Sequence, residues 1–255
     1  MSLLELQLGG LLMVFSRVAG LFVFAPLLAS VTVPMRIRAI LAVTMSLIIW
    51  LGLPGNLRLV EVPDVITAGY IVFTETTLGT IIGLIALMPV VAVQLGSAVF
   101  GQQMGFGLTA VYNPALETDS DVLGELMLYL ALGVFLSFGG LERLFLIIAG
   151  SFKTIGPGGF SLSAAPLSLV VGVLTAGTEL AIRIALPVLC LILVETIASA
   201  FVSKTMPQLS VMSLGFGLKV ILGIMALTGA LISIQQIVGE HIADTFNRLT
   251  VWLSL

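Results

Sequence analysis

The sequence predicts an all-α, polytopic membrane protein with long proline-kinked helices or hairpins and one central glycine-rich loop. Three observations carry this prediction. Hydrophobic residues make up 59% of the chain and charged residues only 9%, whereas an ordinary soluble domain carries about 25% charged residues. Apolar runs recur along the chain, several reaching the roughly 20 residues that a helix needs to cross a bilayer. The 27 glycines, 14 phenylalanines and ten methionines suit close-packed membrane helices better than a polar lumen. The whole chain, 1–255, reads as a single helical domain.

Six runs follow in order: 8–30, 39–53, 65–100, 122–138 with an extension to 150, 167–201 and 209–238. The first contains Arg17, and Glu5 precedes it, so it lacks the pattern of a cleaved secretory signal and is expected to insert as a span. The second is short. The third and fifth are too long for one straight helix, and each holds a proline, Pro89 and Pro187, expected to kink or split it. Six is therefore a nominal count of spans. The connections FAPLLASVTVPMRIR, LPGNLRLVEVPD and KTIGPGGFSLSAAP read as loops from their Pro and Gly content. Arg36 and Arg38 argue that the loop after the first run is cytoplasmic. The other bases do not alternate clearly between successive loops.

The central stretch GQQMGFGLTAVYNPALETDSD, 101–121, differs from the runs on either side. Gly101, Gly105 and Gly107 each weaken a helix by about 1 kcal/mol relative to Ala. Pro114 does not suit a helix interior. Between these breakers stand Met104, Phe106 and Leu108; beyond them come Glu117, Asp119, Asp121 and Glu125 without a base. Non-helical backbone at membrane depth is tolerated where protein buries it or it lines a cavity. The segment is either a connecting or re-entrant loop with an acidic end, or the working part. A short echo accompanies it, MGFGL at 104–108 and LGFGL at 214–218.

Charges inside apolar runs are the second informative feature. Arg17, Glu75, Glu179, Arg183, Glu195 and Lys219 each cost about 2.5–3.5 kcal/mol at a span centre if they face lipid. Glu179 and Arg183 are spaced to pair on one helix face; the other four have no local partner. They serve either an ion or substrate pathway, or pairing with other helices of this chain or of partner subunits. Gly79–Gly83 and Gly101–Gly105 give two GxxxG spacings for close helix approach.

Several function classes are excluded. A net charge of −3 offers no basic surface for nucleic acid. One cysteine, Cys190, and one histidine, His241, exclude a disulfide framework and a Cys/His zinc cluster. Hydrolase, phosphate-binding and calcium-binding motifs are missing, so neither an enzyme nor a cofactor is expected.

Three segments in order resemble the FliR/SctT family, the export-gate component of flagellar and virulence type III secretion systems. Phe24-Ala25-Pro26 with Val33-Pro34-Met35-Arg36-Ile37-Arg38 is similar to that family's opening. Gly101, Gln103, Met104, Gly105, Asn113 and Pro114 match its central motif. Met206-Pro207-Gln208-Leu209, running to Gly215-Phe216-Gly217-Leu218-Lys219, is similar to its late motif. Asn113 stands where the family pattern has Asp, Ser210 where Asn is common and Gly217 where Pro is usual. The first change puts a salt bridge from that position in doubt.

The resemblance implies a non-enzymatic subunit that joins FliP and FliQ in a helical assembly around the export channel, beside FlhB, in the bacterial inner membrane at the flagellar basal body. It further implies that the channel passes unfolded exported proteins and that the central loop plugs it when closed, below a ring of FliP methionines. Such assemblies sit largely above the bilayer plane, with fewer true spans than hydropathy implies. Phe106, Gly107 and Leu108 join the plug on residue chemistry. The alternative is a small secondary transporter with Glu75, Glu195 and Lys219 as coupling residues.

Overall fold

In lipid every backbone polar group must be bonded within its own segment, so long apolar runs settle as helices. The computed structural model of the chain describes residues 3–30, 33–55, 64–106, 122–161, 166–205 and 211–253. Among the described residues there are seven helices: α1 (Leu3–Phe24), α2 (Met35–Gly52), α3 (Val65–Gln103), α4 (Val122–Ser137), α5 (Gly140–Thr154), α6 (Leu167–Thr205) and α7 (Val211–Trp252). Five of them are long and apolar enough to cross a membrane, or six segments if α4 and α5 count together as one span. The nominal count of six is reached only with that pair included.

Local chemistry explains the ends. Pro34 opens α2, its carbonyl accepting from the N–H groups of Ile37 and Arg38, as suits a residue with fixed φ and no donor at a helix start. Asp64 opens α3; its Oδ1 accepts the Val65 N–H at 2.8 Å. Pro166 begins α6, with Val170 N–H donating to its carbonyl.

Of the two alternatives for the prolines, kink or split, the split does not occur, and one loop boundary moves. Pro89 and Pro187 lie inside α3 and α6, yet each helix runs for 39 residues without a break. Membrane helices carry interior prolines when neighbouring groups re-satisfy the freed backbone. The break falls instead at Gly139, whose φ of +68° lies in the left-handed region that glycine enters without penalty. The helix–loop boundary also moves: α3 continues through Gly101 to Gln103.

The chain divides into two compact units, Met1–Met88 with Phe138–Val173 and Ile242–Leu255, and Pro89–Ser137 with Leu174–His241. In the first, α1 and α3 approach backbone to backbone. A Cβ on Gly79 would strike the Arg17 carbonyl, one on Gly20 would strike that of Thr76, and one on Gly83 would lie 2.8 Å from the Leu21 oxygen. Val14, Val18 and Leu21 are buried there, as are Leu78, Ile82 and Ile85 of α3 and Leu144, Ile148 and Phe152 of α5. In the second, Gly96 brings α3 against α6, where a Cβ would lie 2.6 Å from the Ala181 oxygen. Phe100, Met127, Phe135, Leu180, Val188 and Val238 are among its buried residues.

Candidate functional site

The end of α3 is built as a helix stop with a defined geometry. Phe106 N–H donates to the Gly101 carbonyl at 3.2 Å and Gly105 N–H to that of Gln102 at 3.0 Å. Gly105 has φ +92°. This pair of bonds around a left-handed glycine is a Schellman motif, which satisfies carbonyls that the helix would leave bare. Gly101 and Gln103 thus belong to the last helical turn and Gly105 to the cap. Gly101 and Gly105 end a helix, whereas Gly79 and Gly83, at the same spacing, pack one.

Met104 fixes this end in place. It is fully buried, and its thioether fills the space beside Gly223 of α7, where a Cβ would be 2.6 Å from the sulfur. Beside it opens a cavity of about 500 Å³, lined by residues from α3, α6 and α7 that include Met104, Gly105, Glu195, Ser199, Gly215 and Lys219. The two halves of the sequence echo, Met104-Gly105 and Gly215-Phe216, line this same cavity.

Glu195 is the unusual group there. Its side chain has no exposed surface. Ser199 Oγ donates to its Oε1 at 2.5 Å, but its Oε2 accepts no hydrogen bond. Lys219 Nζ stands 4.0 Å from Oε2 and is partly exposed: an ion pair by charge, too long for a hydrogen bond. The other hydroxyls of the lining are already committed, Thr196 donating to Ile192 O and Ser203 to Ser199 O, both at 2.8 Å.

The remaining buried charges of the first run and of α3 form a closed cluster in the first unit. Arg17 Nε donates to Glu75 Oε2 at 2.6 Å and Nη2 to Oε1 at 3.0 Å. Arg17 Nη1 donates to Ser151 Oγ at 2.8 Å, Nη2 also reaches Ile155 O at 3.1 Å, and the guanidinium lies 3.8 Å from the Phe152 ring centroid. Gly158 N–H donates to Glu75 Oε1 at 2.7 Å. Neither side chain has exposed surface. These four charges without local partners therefore pair within the chain, Arg17 with Glu75 and Glu195 with Lys219. Glu75 accepts from Arg17 through both carboxylate oxygens and from the Gly158 N–H at Oε1.

Glu179 and Arg183 pair as their spacing predicts, at 2.6 Å, and both side chains are 58% exposed on the chain by itself. Arg36 is exposed, while Arg38 turns back so that Nε donates to Val33 O at 3.0 Å and Nη2 to Ser30 O. It thereby closes the turn that follows the buried Pro26. Gly107, Leu108, Asn113 and Pro114 of the central loop, and Met206, Pro207 and Gln208 of the late motif, lie outside the described residues. Ser151, Gly158, Ser199 and Gly223 were not among the sequence candidates; only their tertiary neighbours reveal them. No group of three metal-ligating side chains occurs among the described residues.

Comparison with known proteins follows the same outline. The family described as bacterial export proteins, family 1, matches residues 8–245. Flagellar biosynthetic protein FliR of Escherichia coli (strain K12) is 29% identical over 238 residues, covering 91% of this chain and 88% of its own length. FliR of Aquifex aeolicus (strain VF5) is 28% identical over 237 residues, 93% and 90% of the two chains. FliR of Bacillus subtilis (strain 168) is 25% identical over 255 residues, 96% and 94% of the two chains.

Proposed function

The chain belongs to the family of bacterial export proteins, family 1, and on that premise we propose that it is a membrane subunit of the flagellar protein-export apparatus. The observation that carries this reading is the match over nearly the full length of FliR proteins from three organisms. The five long apolar helices support a membrane location, in a flagellated bacterium the inner membrane at the basal body. The subunit works in a complex with FliP, FliQ and FlhB homologues and handles unfolded exported polypeptides.

Within that complex the central loop closes the resting channel. Support comes from the chemistry at its foot. The Schellman cap ends α3 at a fixed point, and Met104 is locked against Gly223. The backbone therefore leaves helical geometry from an anchored base, and Phe106, Gly107 and Leu108 supply bulky and permissive residues just beyond it. Apolar constrictions close pores by excluding water.

The test is co-purification of the tagged chain with FliP and FliQ homologues from host membranes, combined with export of flagellar subunits in a strain lacking the chain. A stable complex and loss of export are expected. A strain without the chain that exports normally would refute the reading.

A further inference from the structure

We infer that the cavity beside Met104 seats an amide group of a neighbouring subunit, its N–H bonded to Glu195 and its carbonyl to Lys219. This rests on the reading of the chain as a subunit of an export complex. Three observations carry it. Glu195 Oε2 is buried and accepts no hydrogen bond; of the lining hydroxyls, Ser199 donates to the other oxygen of the same carboxylate, and Thr196 and Ser203 donate to backbone carbonyls. Lys219 Nζ faces that oxygen across 4.0 Å, too far for a bond of its own. The space between and around them, about 500 Å³, lies in the range of small-molecule and side-chain binding pockets.

The charge balance selects the chemistry of the occupant. One carboxylate and one ammonium sum to zero, so a free cation would meet Lys219 and a free anion would meet Glu195. A neutral group carrying a donor and an acceptor side by side answers both. The backbone peptide group and the Asn or Gln carboxamide are such groups. Met104, Ala200, Gly215 and Phe216 supply apolar wall for the carbon atoms next to that amide. An unbonded buried carboxylate oxygen is a standing cost. A subunit held permanently in place removes it; an exported chain in passage does not.

The experiment places a photo-crosslinking benzoylphenylalanine at Ala200, an exposed residue of the cavity lining, in the complex purified from host membranes. Irradiation should give an adduct with one other apparatus subunit, identified by mass spectrometry, in equal yield with export idle or active. Lys219→Met should lower that yield at least tenfold, and Lys219→Arg should largely restore it. An assembled complex that gives no adduct, or an adduct with exported protein alone, overturns the inference. So does a Lys219→Met complex with undiminished yield. If Lys219→Met blocks assembly, the chain with native Glu195 and Lys219 still decides by the identity of its adduct. A chain that never co-purifies with other apparatus subunits removes the functional reading as well, which separates the two failures.

Discussion

Arg17 and Glu75 meet as a two-pronged ion pair, 2.6 and 3.0 Å across, with no side-chain surface exposed. Ser151, Ile155, Gly158 and Phe152 complete the shell around them, so α1, α3 and the end of α5 are joined through one guanidinium. Breaking a buried pair by removing one partner costs about 3–5 kcal/mol, whereas replacing both with apolar residues costs far less. Arg17→Met and Glu75→Gln should each lower the thermal stability of the chain in detergent sharply. Arg17→Met combined with Glu75→Leu should recover much of the loss. Single variants that melt with the parent would show that the pair bears no structural load.

The backbone contact of α1 with α3 gives a second prediction. Gly79→Ala places a Cβ on the Arg17 carbonyl, and overpacking of this kind costs about 1–3 kcal/mol. Gly229→Ala, on α7 with nothing within 4 Å of its Cβ, should be neutral or stabilise by up to about 1 kcal/mol. Melting temperatures of the two variants in one detergent make the comparison. Equal shifts would mean that helix propensity, rather than the close approach, governs both sites.

Much of this was legible in the sequence, and the exceptions have physical causes. Run lengths and composition carried the all-helical membrane architecture, because lipid leaves a long apolar segment few other choices. Spacing alone paired Glu179 with Arg183. It could not show on which side of α6 they lie, since apolar residues flank the pair in both directions along the helix. Arg17 and Glu75 are 58 positions apart, and no local pattern connects them. Pro89 and Pro187 mark positions inside α3 and α6 without splitting either helix, because neighbouring groups in a packed membrane interior can re-satisfy the backbone that a proline frees. Gly105 breaks the helix as a glycine at such a position can; Gly101, four positions earlier, is a carbonyl acceptor inside the same cap.

The exposed Glu179–Arg183 pair should report on assembly rather than on the fold of the isolated chain. Both groups project from a helix with exposed Leu174, Ile182 and Leu186 nearby, on an apolar surface where lipid would penalise them. Glu179→Gln should leave the melting temperature of the purified chain within about 1 °C, since an exposed i,i+4 pair contributes only about 0.3–0.5 kcal/mol. The same change should reduce recovery of the complex with FliP and FliQ homologues. Recovery equal to the parent would show that this face of α6 is not covered by a partner.

The cap at the end of α3 makes the channel-closing role of the central loop testable. Gly105 sits at φ +92°, where a Cβ is strained by about 1–2 kcal/mol. Gly105→Ala should therefore fray the last turn of α3 and loosen the foot of the loop while Met104 still holds it. Deleting residues 105–110 removes both the cap glycine and the apolar residues after it. If the loop closes the channel, the assembled complex with this deletion should conduct ions in planar bilayers where the parent does not, and its host should grow slowly. Gly105→Trp should do the opposite, adding bulk beside the anchored Met104 and reducing export without a leak. Gly105→Ala should fall between, with normal assembly and intermittent conductance. Because the deletion raises conductance while Gly105→Trp lowers export at the parent's conductance, a general folding defect cannot imitate the pattern. Conductance unchanged by the deletion, in a complex that assembles normally, would leave the loop as a connector and nothing more.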